Sequence, residues 1–185
     1  MKPRSAADLL AKLTDRVRRN LALTEGLRGL PSERLNQRPG EGRWSALEAA
    51  EHLNRYGAFY VPALRRAVDA APPLGAAATF TSGWLGNQFA AGMKPGPRMR
   101  KVSTFPSKSP LGSALTPAVL DTLADQQREL LRILADAAGR DLTRPRVPTT
   151  IARLLTIRLG DALRTVIYHD WRHLEQAARA AQLAY

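Results

Sequence analysis

Four stretches of the chain repeat their apolar residues at the helical period, and no stretch alternates convincingly as a strand would. The first runs from about Ser5 to Arg28, with Leu9, Leu13, Val17 and Leu27 on one stripe. Ser5 is placed to cap it, with Asp8 three residues later; Gly29 and Pro31 break it, and Pro31 to Arg43 is a connection rich in turn formers. The second begins at Ser45, where Ser45 and Glu48 have the spacing of a capping box. Its apolar face is Ala49, Leu53, Tyr56, Tyr60, Ala63 and Ala67; Pro62 predicts a kink inside it and Pro72-Pro73 ends it. The third starts at Thr116-Pro117, a cap followed by proline at the first helical position, and runs to about Ala138 before Gly139. After a proline-containing connection, Arg140 to Pro148, and a short segment around Ile151 to Ile157, the fourth covers roughly Leu159 to Gln182. Four amphipathic helices joined by one long crossover predict an all-α four-helix bundle, with residues 1–185 as a single domain.

The crossover, Pro72 to Leu115, holds six Gly and six Pro, too many for one long regular element. Phe80, Trp84, Phe89 and Phe105 are spread through it, which argues against a disordered linker, and a short helix is expected around Ser82 to Ala91. An insertion of this length is expected to serve function or to join distant helix ends.

Composition narrows the chemistry. The chain has no Cys, which removes disulfides, thiolate metal ligands and a cysteine nucleophile. No run of apolar residues is long enough for a membrane span, and the start, Met-Lys-Pro-Arg, lacks the apolar region of a signal peptide, so a cytoplasmic protein without a membrane partner is expected. The net charge of +12 raises anionic partners, but the basic residues are scattered from Arg4 to Arg179. The densest cluster, Arg98 to Lys101, is short and interrupted by Met99.

There are only three histidines: His52, His169 and His173. His169 and His173 stand at i and i+4, on one face of the fourth helix, and His173 shares the apolar stripe of Ala162, Val166 and Ala177. His52 borders the stripe of Ala49, Tyr56 and Ala63 on the second helix. All three can reach the inner margin of a bundle, where metal sites are built from facing helices. Imidazole is the commonest transition-metal ligand, and three of them leave positions for water or substrate. Three unrelated core or surface histidines remain the alternative to a metal site at this point.

Trp44-Ser45, followed by His52-Leu53, resembles the signature of the DinB-like (DinB/YfiT) superfamily of metalloenzymes. His169-Asp170-Trp171-Arg172-His173-Leu174-Glu175-Gln176 resembles its C-terminal His-x-x-Arg-His-Leu-x-Gln segment, and Leu30 to Leu35 with Arg38-Pro39 resembles its connection before the second helix. The likeness spans Leu30 to Gln182, with nothing to match Pro72 to Leu115. It implies a four-helix bundle with a divalent metal on His52, His169 and His173. Zinc or nickel leads among the metals, with iron or manganese next.

Polar neighbours of the histidines are the remaining candidates. Gln176 borders the same face and is a candidate donor to a bound water or substrate; the other reading is a bundle-rim amide. Asp170 falls near the centre of the inward stripe, where an unpaired carboxylate is expensive; an Arg partner or a ligand imidazole is expected. Gln127 is the only strongly polar member of the third helix's stripe of Leu120, Leu123, Ala124, Leu131, Leu134 and Ala138, so it lines a cavity or makes a structural hydrogen bond. Glu48 is explained by capping, and Tyr56 and Tyr168 read as core aromatics.

Two functional classes follow. One is a metal-dependent enzyme, a transferase or hydrolase acting on a small anionic substrate. The resemblance implies thiol-dependent S-transferases and isomerases that use a low-molecular-weight thiol. Without Cys, any sulfur nucleophile here is a co-substrate. The other class is a non-enzymatic basic four-helix protein that binds nucleic acid or an acidic partner. No glycine-rich phosphate loop, helix-turn-helix or basic-aromatic motif is present, so nucleic acid is not expected. The resemblance also implies a homodimer. Metal retention is expected to fall as pH drops through about 6, where free imidazole takes up a proton.

Overall fold

The computed structural model describes residues 1–96, 105–152 and 154–184, so the Arg98 to Lys101 cluster lies outside the described residues. The chain runs β1 (Arg4–Ser5), α1 (Ala6–Arg28), α2 (Ser32–Asn36), α3 (Ala46–Asp69), β2 (Thr79–Phe80), α4 (Trp84–Met93), a 3-10 turn at Pro106–Lys108, α5 (Ala118–Asp136), β3 (Arg146–Pro148), β4 (Thr156–Arg158) and α6 (Leu159–Ala180). The fold is the expected all-α one. α1 and α3 each pack against both α5 and α6, which puts α1 diagonally opposite α3 in a four-helix bundle.

Local chemistry explains the long helices. Ser5 Oγ accepts from the Asp8 amide at the start of α1. At the start of α3 both halves of the capping box form: Ser45 Oγ accepts from the Glu48 amide, and Glu48 accepts from the Ser45 amide. α3 continues through Pro62 to Asp69. Proline deprives the Ala58 carbonyl of its partner, but Ala58 and Pro62 are both exposed, so water can take that bond.

The structure corrects the sequence reading in several places. The connection after α1 contains α2, which buries Leu35. α4 starts at Trp84 and ends at Met93, shifted toward the C-terminus from the expected Ser82 to Ala91. α5 has no side-chain cap; Thr116 contributes only its carbonyl, to Val119. Its buried face is Leu120, Leu123, Ala124, Gln127, Leu130, Ile133 and Leu134, so Leu131 lies at the margin and Ala138 is exposed. Strands also occur: β1 pairs with β2, and β3 with β4, both antiparallel. Pairs of two or three residues are too short to show alternation. The β3–β4 hairpin nevertheless buries Val147 and Ile157, and β4 takes in Thr156 and Ile157, the end of the short segment expected at Ile151 to Ile157.

Two apolar clusters form the core. One gathers Leu13, Val17, Leu64, Leu130 and Leu163; the other gathers Leu27, Leu35, Leu53, Leu123 and Leu174. Between them lies a buried polar level, Asn20 on α1, Gln127 on α5 and Asp170 on α6.

α4 is seated on α6 by a buried acid. Asp161 Oδ2 accepts from the Gly83 amide at 2.8 Å and Oδ1 accepts from Arg164 at 3.0 Å; Arg164 also reaches Ser82 Oγ and Asn87 Oδ1. Gly86 makes this approach possible, because a Cβ there would stand 2.6 Å from Asp161 Cβ. Gly86→Ala is therefore expected to cost about 1–3 kcal/mol in chemical denaturation. Gly92→Ala on the same helix, where a Cβ meets nothing within 4 Å, should be neutral or stabilising by up to about 1 kcal/mol. Equal effects at the two positions would contradict this packing.

Candidate metal centre

His52 comes from the first half of α3, and His169 and His173 from the second half of α6. Alanines let these helices approach: Ala46, Ala49 and Ala50 of α3 share a buried cluster with Leu174 and Ala177 of α6. The three imidazoles meet at this contact, with one ring nitrogen of each within 4.8 Å of the others. Asp170 stands outside that cluster, so the donor set among the described residues is three neutral nitrogens.

The hydrogen bonds say which nitrogens face inward. The Lys108 carbonyl lies 2.9 Å from His52 Nδ1, and since a carbonyl only accepts, Nδ1 carries the hydrogen and Nε2 a lone pair. Gln176 Oε1 sits 2.9 Å from His173 Nδ1 and holds that ring in the same way. His52 Nε2 and His169 Nε2 are 3.2 Å apart. Two nitrogens bound at 2.0–2.1 Å to one tetrahedral ion stand about 3.4 Å apart, so this spacing fits a shared ion. The carbonyl and amide behind the rings are the supports that metal-ligating histidines require.

Aromatic rings enclose the cluster. Trp44 lies 4.6 Å from the His52 ring and 5.8 Å from the His173 ring, centroid to centroid. Tyr56 stands 4.9 Å from both His52 and His169, so it is a wall of the site as well as a core aromatic. Tyr168 instead packs on Trp171. Beside His169 opens a cavity of about 130 Å³ walled by Tyr56, Tyr60, Phe89, Met93 and Phe105. Phe89, Met93 and Phe105 belong to the 72–115 insertion, which thus walls the cavity and, through Lys108, touches a histidine.

The polar candidates separate. Gln176 faces His173. Among the described residues Asp170 meets neither an arginine nor an imidazole; its Oδ2 accepts from Gln127 Nε2 at 2.8 Å, and Gln127 is fully buried. Burial pushes the Asp170 carboxyl up to about 7, only partly offset by that bond. Glu48 does more than cap. It accepts from Arg38 at 3.0 Å and from the Gly112 amide at 2.8 Å, tying the end of the insertion to α3 one turn before His52. Burial pushes its carboxyl up, but Arg38 and the two amides outweigh that and leave it below its ordinary value. Sequence reasoning missed two partners of the histidines. Trp44 was visible beside the capping box, whereas a backbone carbonyl such as that of Lys108 leaves no residue signal.

A family model described as DinB superfamily matches residues 13–177. No curated protein and no solved structure matches the chain.

Desolvation pushes His52 down to about 4 and His173 to about 3, and holds His169 well below its ordinary value. The rings therefore stay neutral below the pH of about 6 expected for free imidazole, and proton competition for a cation moves down with them. The sign for stability follows. Unfolded imidazoles titrate near about 6.5, so as pH falls below that value the unfolded chain binds protons that the native chain refuses, and the metal-free protein loses stability. Asp170, raised in the native state, works with the opposite sign. Urea midpoints of metal-free protein between about pH 7.5 and about pH 4.5 should fall more steeply than those of a His52→Asn His169→Asn His173→Asn variant that keeps Asp170. Parallel curves would contradict the burial of neutral imidazoles.

Proposed function

The chain belongs to the DinB superfamily, and from that premise we propose that it is a metal-dependent enzyme whose divalent ion is held by His52, His169 and His173. The observation that carries this reading is the pairing of His52 Nε2 with His169 Nε2 at 3.2 Å while the Lys108 carbonyl occupies the opposite nitrogen of His52. Without an ion, His169 Nε2–H donates to the His52 Nε2 lone pair across this distance; a cation would take that proton's place between the two nitrogens. With no carboxylate in the donor set among the described residues, an ion held by these three rings would keep its full charge and would supply Lewis-acid chemistry, acidifying a bound water or holding a thiol as thiolate.

The chain's own residues supply position and shelter. Gln176 and the Lys108 carbonyl fix two rings, and Trp44 and Tyr56 limit their motion. The largely apolar walls of the cavity beside His169 would limit water around a substrate seated there. The reaction proposed is substitution on an acceptor seated in that cavity: the sulfur of a small thiol co-substrate bonds to an acceptor carbon, and the group displaced from that carbon leaves with the thiol's proton. A thiol must come from outside because the chain has no Cys, and the +12 charge favours an anionic one in solution. Zinc and nickel suit an imidazole set open to sulfur.

Elemental analysis of protein purified without a histidine tag should give one divalent ion per chain. His169→Ala His173→Ala should abolish it; full occupancy in that variant would remove the assignment. Gln176→Leu keeps all three ligands but frees the His173 ring, so its metal affinity should fall about 10–100-fold. Unchanged affinity would return Gln176 to the role of a rim amide.

A further inference from the structure

The cavity beside His169 has a character of its own. Tyr60, Phe89, Met93 and Val166 give it apolar walls, and at about 130 Å³ it approaches the roughly 150 Å³ of an apolar cavity known to take up benzene. Although the sequence holds 28 Lys and Arg, none lines the cavity among the described residues. Among the described residues its one acidic wall is Asp170. Gln127 occupies Oδ2 of that carboxyl, and Oδ1 has no hydrogen-bond partner among the described residues. In the metal-free protein a carboxylate or phosphate seated against Asp170 would meet this acid with no Lys or Arg among the described lining residues to offset it, whereas a hydroxyl or amine would find an acceptor.

We propose that the cavity holds the acceptor substrate and that this substrate is an uncharged, ring-sized molecule whose hydroxyl or amino group donates to Asp170. This rests on the metal-dependent transfer reading above. It differs from the anionic substrate expected from net charge: the positive charge is spread over the molecule, while the cavity that would hold the acceptor is apolar and acidic. The two substrates then differ in kind, an anionic thiol at the ion and a neutral ring in the cavity.

Met93 provides the probe. The chain has three Met, and Met93 lines the cavity. With ¹³C-labelled methionine methyls, phenol, anisole and benzoate can each be titrated and the Met93 signal identified by its loss in Met93→Leu. In zinc-free protein at mildly alkaline pH, phenol should shift Met93 and bind about tenfold more tightly than anisole, which keeps the ring and oxygen but lacks the donor; benzoate should not shift it. In Asp170→Asn, which preserves shape and the contact with Gln127, the phenol-to-anisole ratio should fall about tenfold. If that variant does not fold, the wild-type order of the three probes decides. Benzoate binding as well as phenol, no shift with any ring, or a ratio unchanged in Asp170→Asn would overturn the proposal. Running the series with and without zinc separates the two readings. Phenol on Met93 in protein that takes up no zinc supports the cavity and defeats the metal enzyme, while stoichiometric zinc with no ring bound does the reverse.

Discussion

The packing of α3 against α6 through alanine sets how close the imidazoles can stand. Helices that meet over small side chains approach to the near end of the usual interaxial range, and Ala46, Ala49, Ala50 and Ala177 occupy that contact. His52 therefore reaches His169 without leaving its helix. A leucine in place of any of these alanines would part the axes and open the cluster. The first turn of α3 is held in turn by Glu48, whose carboxyl joins the Ser45 amide, Arg38 and the Gly112 amide. That single group aligns the helix carrying His52 with the end of the insertion. Further back in the same segment, the Lys108 carbonyl aims the His52 ring.

Electrostatics follows from this burial. Three neutral rings are cheaper to desolvate than any charged ligand set, which is why the donor cluster can sit in an apolar contact at all. The cost appears as depressed proton affinity, and a cation bound there would recover it. The polar level of Asn20, Gln127 and Asp170 crosses the bundle where the two apolar clusters part. Much of the arginine charge is paired elsewhere: Arg65 spans Glu129 and Asp136, and Arg28 spans Glu25 and Asp121. Net charge is thus a poor guide to the cavity.

The bundle was legible because helical period and caps are local signals. Ser5 with Asp8, and Ser45 with Glu48, mark two helix starts to the residue. The histidine pair at i and i+4 was legible for the same reason, since one helix fixes its geometry. The partner of Asp170 was not, because a buried carboxylate suggests arginine and only the assembled bundle brings Gln127 of α5 across its interior to α6. The stripe on α5 slipped at its C-terminal end, where Leu130 and Ile133 take the inner positions ahead of Leu131 and Ala138. The insertion was least legible: α4 depends on the Asp161 anchor far along the chain, and the Lys108 contact is made by backbone.

X-ray absorption of zinc-loaded protein tests the central claim most directly, because it counts the atoms on the ion. Three imidazole nitrogens are expected at about 2.0–2.1 Å, with a sulfur shell at about 2.3 Å that appears only when a small thiol is added, since the chain has no Cys to supply one. One or two imidazoles, or a shell closed by a fourth protein ligand that no thiol displaces, would contradict it.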